Sequence, residues 1–368
     1  MTMKITVVRP LDLGEDEVKR WRMLQETDPL LGNPFLAPEF TQAVGRFRDN
    51  VRVAVVTDGP DVVAFFPYER TALGVGHPVG FGLTDLQGIV AAPDLELDAK
   101  ALLRACGLSV WDFDHLLAHQ RMFAPYHGIT WSEPVMDLSA GFDAYLEGAS
   151  LKRIRYKERK LGRDVGEVRY VFSSADPADL DRLMALKSAQ YNRTGRMDRF
   201  SRPWIVDLVR HFHETGFGVL SVLYAGDEMV ATHFGLRGDN VMAGWFTTYD
   251  GKFAKYSPGL IQNLLLAQAC PGAGITRIDM GRGGREFKDR LKSREIPIAE
   301  GRVARALGYG GAGAGLHWVR TVPLRRTRSA VLNNPRLYAK ADRVLKTYAR
   351  LRGTASRPVP ASGGEAAR

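Results

Sequence analysis

The sequence predicts an α/β (α+β) fold divided between two domains, on three observations. The chain has 368 residues, 45% of them hydrophobic, and single cores usually stop growing near about 250 residues. Short runs of strand-like residues alternate with segments whose apolar residues recur at helical spacing. Residues 53–68 and 220–236 share one form, strand, acidic glycine turn, Val-Ala, strand, which hints at two copies of one fold. Any β-hairpin shares part of that form, so the two hairpins alone favour duplication only slightly.

The elements follow in order. Residues 4–8 read as a strand, 14–26 as a polar helix and 38–47 as a short helix. Strands at 51–56 and 62–68 flank Thr57-Asp-Gly-Pro-Asp61, whose Asp, Gly and Pro are hairpin-turn residues. A glycine-rich stretch at 74–88, a helix at 97–105 and strands at 110–117 and 130–138 complete the first half. Residues 142–163 form one long helical pattern ending at Gly162 and bridging the halves. The second half opens with a strand at 168–172. Asp176-Pro177 then supplies an N-cap and a proline at the first helical position, and Leu180, Leu183, Met184, Lys187 and Tyr191 follow at helical spacing. A helix from Pro203 stops at Gly216. Strands at 218–224, 229–237 and 241–249 make an antiparallel meander, and 258–269 is a helix closed by Pro271-Gly272. A strand at 275–280, a helix at 285–292 and a strand at 295–303 finish the core. The expected divisions are 1–140, a bridge at 141–165, 166–305, a basic helical extension at 306–352 and a tail at 353–368 too poor in apolar residues to order itself.

Charge sits unevenly on this plan. Residues 301–368 hold 14 Lys+Arg against 2 Asp+Glu, so they carry +12 of the whole chain's +10 and leave −2 on residues 1–300. A nearly neutral body argues against specific nucleic-acid binding, which needs clustered cations. The basic helix, with Arg336, Lys340, Arg343, Lys346, Arg350 and Arg352, suits weak, salt-sensitive contact with an anionic membrane surface. Cys106 and Cys270 provide neither a disulfide framework nor a zinc site. No run approaches the roughly 18 apolar residues of a membrane helix, and the start does not read as a signal peptide. A cytoplasmic location and no metal are therefore expected.

The strongest local signal is the strand, loop and helix from Trp245 through Tyr256-Ser257-Pro258-Gly259-Leu260. A helix start of this kind leaves backbone N–H groups free to face an anion. Gly259 lets the backbone approach phosphate, and Pro258 presets the helix without wasting a donor. Ser-Pro-Gly also caps many helices that bind nothing.

That stretch, together with Asn33-Pro-Phe-Leu-Ala-Pro-Glu-Phe40, Asp85-Leu-Gln-Gly88, Val230-Ala-Thr-His-Phe-Gly-Leu-Arg237 and Ile278-Asp-Met-Gly-Arg-Gly-Gly-Arg-Glu-Phe-Lys288, resembles the cellulose-biosynthesis (CelD/BcsL-type) branch of the GNAT acyltransferase superfamily. The match runs over nearly everything before residue 305, and the arrangement is similar to the tandem GNAT folds of FemAB-type transferases. The resemblance implies two GNAT-like domains, the first degenerate, each a mixed, mostly antiparallel sheet flanked by helices. It implies an acyl-CoA co-substrate, with transfer to an amine or hydroxyl of a small-molecule or saccharide acceptor in polysaccharide or envelope synthesis. Phe287 departs from the pattern, since these sequences often carry Tyr before Lys288.

The resemblance puts the CoA pyrophosphate at Tyr256, Ser257, Pro258, Gly259 and Leu260, and the thioester between the strand ending near Tyr249 and the strand at 275–280. His233 is the first candidate base, because an unperturbed imidazole titrates near the working pH; a histidine hydrogen-bonded inside the sheet would look the same. Asp250 is the second, or a turn residue before Gly251. Trp245 and Tyr249 are expected on one strand face, lining an acceptor groove or packing in the core. Asp85 and Gln87, in a glycine-rich loop, and Lys288 are the remaining substrate-binding candidates. Asp279 either orients substrate or caps a helix. The basic run Lys152–Lys160 either meets substrate phosphates or forms a solvated face. The rival activities are a FemAB-like transfer from aminoacyl-tRNA and a non-catalytic scaffold with a membrane-associating tail.

Overall fold

The computed structural model describes residues 3–80, 82–147, 152–282 and 286–305; the basic extension and the tail lie outside the described residues. In the first half β1 (Lys4–Val8), α1 (Glu15–Gln25) and α2 (Pro38–Phe47) precede the expected hairpin of β2 (Val51–Asp58) and β3 (Asp61–Arg70). The glycine-rich stretch holds β4 (Val75–His77), and β5 (Val90–Ala91) follows it. Then come α3 (Ala99–Ala105), β6 (Val110–Leu117) and β7 (His127–Asp137).

The helical pattern at 142–163 forms two helices, α4 (Phe142–Glu147) and α5 (Lys152–Asp164). Gly162 does not end α5. The chain turns instead at Gly166, where a Cβ would stand 2.9 Å from the Gly226 backbone. In the second half, β8 (Val168–Val171) leads to α6 (Pro177–Arg193), capped by the Asp176 side chain on Ala178 N, and to α7 (Pro203–Thr215), stopped by left-handed Gly216. The meander β9 (Gly218–Ala225), β10 (Glu228–Arg237) and β11 (Val241–Tyr249) runs into α8 (Pro258–Ala269). β12 (Arg277–Asp279), α9 (Glu286–Asp289) and β13 (Arg294–Ala304) complete the fold. β12 covers three of the six expected residues, and just beyond it Gly281, at φ 73°, turns the chain out of extended geometry.

All strands among the described residues join one mixed, mostly antiparallel sheet in the order β1-β2-β3-β4-β6-β13-β7-β12-β11-β10-β9-β8, with β5 on β3. Two pairs are parallel, β4 with β6 and β11 with β12. Each half therefore repeats one plan, a meander closed by a parallel pair, and the two hairpins matched in sequence, β2–β3 and β9–β10, occupy equivalent places. The long strand beside each parallel pair comes from the other half: β13 lies against β6, and β7 against β12.

Alternation along β2 sends Val51, Val53 and Val55 to one face and Ala54 and Val56 to the other. The first face carries a core shared by both halves, where Trp21 stacks on Phe65 and Phe40 of α2 stacks on Phe212 of α7 with centroids 5.8 Å apart. The opposite face holds two separate cores, one beneath α3 and one beneath α5 and α8. No helix among the described residues is long and apolar enough to cross a membrane.

Candidate active site

β11 and β12 stay paired only over Val241↔Arg277, Met242↔Ile278 and Ala243↔Asp279. Immediately afterwards β11 bulges: Gly244 pairs with Gly235 and Phe246 with Phe234, leaving Trp245 as the extra residue. A bulge of this kind bends a strand and ends regular pairing. The strands part there, and a cleft of about 800 Å³ opens among β11, the start of α8, the α6 residues Lys187 and Tyr191, and the loop carrying Asp85.

One end of the cleft is the start of α8. Ser257 sits at φ 56° and ψ 53°, the left-handed region that few non-glycine residues occupy. The Lys157 ammonium of α5 donates to its Oγ. Pro258, Gly259 and Leu260 line the cleft with it. A Cβ on Gly259 would meet Tyr249 Cδ1 at 3.8 Å, an ordinary contact, so packing alone does not demand glycine there. The first turn offers fewer donors than its sequence suggests: Pro258 has no N–H, and the Leu260 N–H turns back to Ser257 O at 2.9 Å. Tyr256 departs from expectation. It is buried beneath the loop, away from the cleft, and its hydroxyl donates to Asp164 Oδ2 at 3.0 Å.

The other end is polar. Asp85 lines it with a side chain about one-third exposed (35%), close enough to Gly281 that a Cβ there would stand 2.5 Å from Asp85 Oδ2. Lys288 donates to Gly281 O at 2.7 Å and Arg282 O at 3.3 Å, while the Gly281 N–H donates to Glu133 Oε1 at 3.0 Å. His115 stands behind, its Nε2 3.7 Å from Asp85 Oδ1 and its Nδ1 2.9 Å from Asp114 Oδ1. Burial raises the Asp85 pKa, and the charges of His115 and Lys288 offset part of that rise. Glu133 is pushed well above the carboxylate range by burial and by the neighbouring carboxylates of Asp279 and Asp85. Lys187, Arg196, Arg199, Arg282 and Lys288 give the lining five cations, against Asp85 as its one carboxylate among the described residues.

His233 reaches the cleft floor from β10, opposite Thr247 and packed over Gly235 and Gly244. It is 1% exposed, and its Nδ1 has no partner among the described residues. Burial lowers its pKa to about 4. The argument from an unperturbed imidazole is thereby removed, since the ring is neutral at ordinary pH but a weak base.

Four other expectations are corrected. Asp250 does not line the cleft; its carboxylate caps the turn at 251–256 by accepting the Lys252 N–H at 3.0 Å and stands 3.5 Å from Arg182. Gln87 is buried outside the cleft, clamping its loop to β6 by donating to Asp114 Oδ1 and accepting the Asp114 and His115 N–H groups. Trp245 and Tyr249 do not share a face, because the bulge turns Trp245 into the shared core, against Phe246 at 4.6 Å and with its indole N–H on Leu83 O, while Tyr249 packs toward α8. Both still border the cleft. Asp279 neither caps a helix nor meets the cleft: it pairs with Arg277 at 2.8 Å and accepts the Asn33 amide at 2.7 Å.

The segment from α5 through α9 matches a known family model. Residues 149–289 match the model of an acetyltransferase (GNAT) domain. FemX superposes with a TM-score of 0.57 at 9% identity, covering 81% of this chain and 96% of that one. The C-terminal domain (DUF2156) of a putative lysylphosphatidylglycerol synthetase from Agrobacterium fabrum gives 0.53 at 14%, covering 81% and 95%. A tandem GNAT protein from the clavulanic acid biosynthesis pathway gives 0.50 at 9%, covering 83% and 100%. No curated protein matches the chain. At such identities these likenesses concern the fold, and they agree with the doubled plan of the sheet. The match includes α5, which sequence pattern alone assigns to a bridge. Sequence reasoning missed Lys187, Tyr191, Arg196 and Arg199 as cleft residues; the available signal was a lysine inside the otherwise apolar stripe of α6.

Proposed function

We propose that the chain transfers an acyl group from acyl-CoA to an amine or hydroxyl of a polar acceptor that carries negative charge. The parting of β11 from β12, with the start of α8 at one end of the cleft and Asp85 at the other, carries the proposal. A thioester laid along the freed edge of β11 meets backbone N–H groups no longer committed to the ladder, and such donors stabilise the oxyanion of a tetrahedral intermediate. Asp85, which lines the cleft and whose pKa is raised by desolvation, takes the proton of the attacking group. The carbonyl re-forms as the C–S bond breaks and CoA leaves as thiolate. Neutral His233 contributes an unpartnered ring nitrogen at the cleft floor rather than the base. The cation excess of the lining favours an anionic acceptor, and the sequence motifs shared with the cellulose-biosynthesis branch favour polysaccharide or envelope precursors.

Calorimetric titration with acetyl-CoA and longer acyl-CoAs tests the donor. Micromolar binding by the full chain is expected. Gly259→Glu, which places a carboxylate at the start of α8, is expected to abolish that binding without changing the melting temperature. Absence of binding by the unaltered chain to every acyl-CoA would overturn the donor assignment and leave a different activated acyl ester as the substrate.

A further inference from the structure

The segment joining α6 to α7 reads Arg193-Thr-Gly-Arg-Met-Asp-Arg-Phe-Ser-Arg202, with an arginine at every third position and a single carboxylate. Arg196, Met197 and Arg199 line the cleft, and Arg196 and Met197 are exposed there, which makes them its rim. Exposed Arg202 reaches back to this rim, its Nη2 3.4 Å from Met197 Sδ, and exposed Arg193 extends it toward the turn before α8, where a Cβ on Gly251 would stand 3.6 Å from Arg193 Nη1. None of the four arginines meets a carboxylate at ion-pair distance among the described residues, whereas Arg182 of α6 and Arg210 of α7 pair with Asp250 and Asp181. The segment's own carboxylate is committed to the fold, since Asp198 accepts the Phe200 N–H at 3.0 Å and the Ser188 hydroxyl at 3.1 Å. The backbone is pinned as well: the Arg196 N–H donates to Tyr191 O at 2.9 Å, and Phe200 packs on Phe246 with centroids 5.0 Å apart. A fixed turn therefore holds Met197 out among the arginines, 61% exposed.

From this arrangement we infer that the rim of the cleft is a docking surface for an anionic lipid bilayer, with Arg193, Arg196, Arg199 and Arg202 on the headgroups and Met197 inserted between them. The inference goes beyond the acyl-transfer proposal and stands without it, and the surface is distinct from the basic extension at 306–352. Anionic headgroups attract cations near the surface, by an amount equivalent to about fivefold in partition for each arginine. Guanidinium groups bind phosphate oxygens by charge-assisted hydrogen bonds and lay their aliphatic stems along apolar surface. Peripheral binding of this kind combines electrostatic attraction with insertion of an apolar group, and the rim supplies both. A soluble acidic polymer would match the arginines but leave Met197 in water. Docked in this way, the cleft opens onto the bilayer surface rather than into open solvent.

The test is co-sedimentation of the full chain with phosphatidylcholine vesicles, with and without phosphatidylglycerol. The unaltered chain is expected to bind only the phosphatidylglycerol vesicles and to be released by salt. Arg193→Ser/Arg196→Ser/Arg202→Ser should bind at least about tenfold more weakly, while Arg193→Lys/Arg196→Lys/Arg202→Lys, which keeps the charge, should retain most of the binding and guards against a folding defect. Insertion is read separately from a polarity-sensitive fluorophore on Met197→Cys, for which the chain's own Cys106 and Cys270 are buried and do not compete; its emission should shift to the blue on phosphatidylglycerol vesicles and be quenched by brominated lipid. A serine variant that binds as tightly as the unaltered chain would overturn the docking surface and place any membrane contact elsewhere. An unshifted fluorophore, or binding to soluble polygalacturonate with none to the vesicles, would overturn it in favour of a rim that meets soluble polyanions.

Discussion

Asp85 and His233 face one cleft, and burial drives their ionisations in opposite directions. The Asp85 pKa rises, so the rate of acyl transfer should climb as pH increases through that raised value, because a base must first lose its own proton. Asp85→Asn should lower kcat about 10²- to 10⁴-fold with acetyl-CoA affinity unchanged, measured by CoA release; an unaltered kcat would return Asp85 to the cleft wall. His233 affects stability instead. Its pKa is about 4 in the folded chain against an ordinary 6.5, so the unfolded state binds more protons between those values. Stability from this residue is complete above pH 6.5 and is lost as pH falls toward 4, to an extent of order 3 kcal/mol. Urea denaturation at pH 7.5 and pH 4.5 should therefore show a smaller pH effect in His233→Gln than in the unaltered chain, and equal effects would mean that the ring is not buried in neutral form.

Among the elements, β12 is the one that local pattern describes least well and side chains hold most firmly. Its three residues pair with β7 on one side and β11 on the other, and its position is fixed by Asn33 on Asp279 Oδ2 and by Arg277 on Pro29 O at 2.7 Å, the two charged side chains pairing with each other within the strand. Removing one partner of a buried pair strands the other's charge, so Asp279→Ala should cost about 3–5 kcal/mol in chemical denaturation. A loss under about 1 kcal/mol, the range of exposed pairs, would count against the buried network. Much of the remaining element structure was legible: α2, β6 and α8 follow directly from proline starts and apolar spacing, and the β2–β3 hairpin from its turn. The bulge at Trp245 was not legible, because it exists only in register with β10. The role of Asn33 was not legible either, since its partner lies 246 positions away. Ser257 to Leu260 are readable as a helix start because that is a local feature, and the structure places them on the cleft. Tyr256 and Asp250 were misplaced because side-chain direction in a loop is set by neighbours such as Asp164 and Arg182.

At the scale of the whole molecule, the two halves repeat one plan but do not close separately. β13 follows the second half in sequence yet lies between β6 and β7, while β7 supplies the neighbour of β12. A second half cut at residue 166 would retain β12 and β13 without the strand that joins them, exposing long unpaired edges of the kind that drive aggregation. The same cut would uncover the shared core, because Phe212 of α7 packs on Phe40 of α2, and Trp245, at the bulge that opens the cleft, touches Phe35 and Phe40. The first half is therefore part of the architecture of the cleft, contributing Asp85 to its lining and Asn33 to the anchoring of β12. Residues 166–305 expressed alone should be insoluble or lack cooperative unfolding by circular dichroism, and co-expression with residues 1–165 should restore both a soluble complex and acetyl-CoA binding. A soluble, cooperatively folded fragment 166–305 would mean that the exchange of β7 and β13 is dispensable and that each half folds as an independent unit.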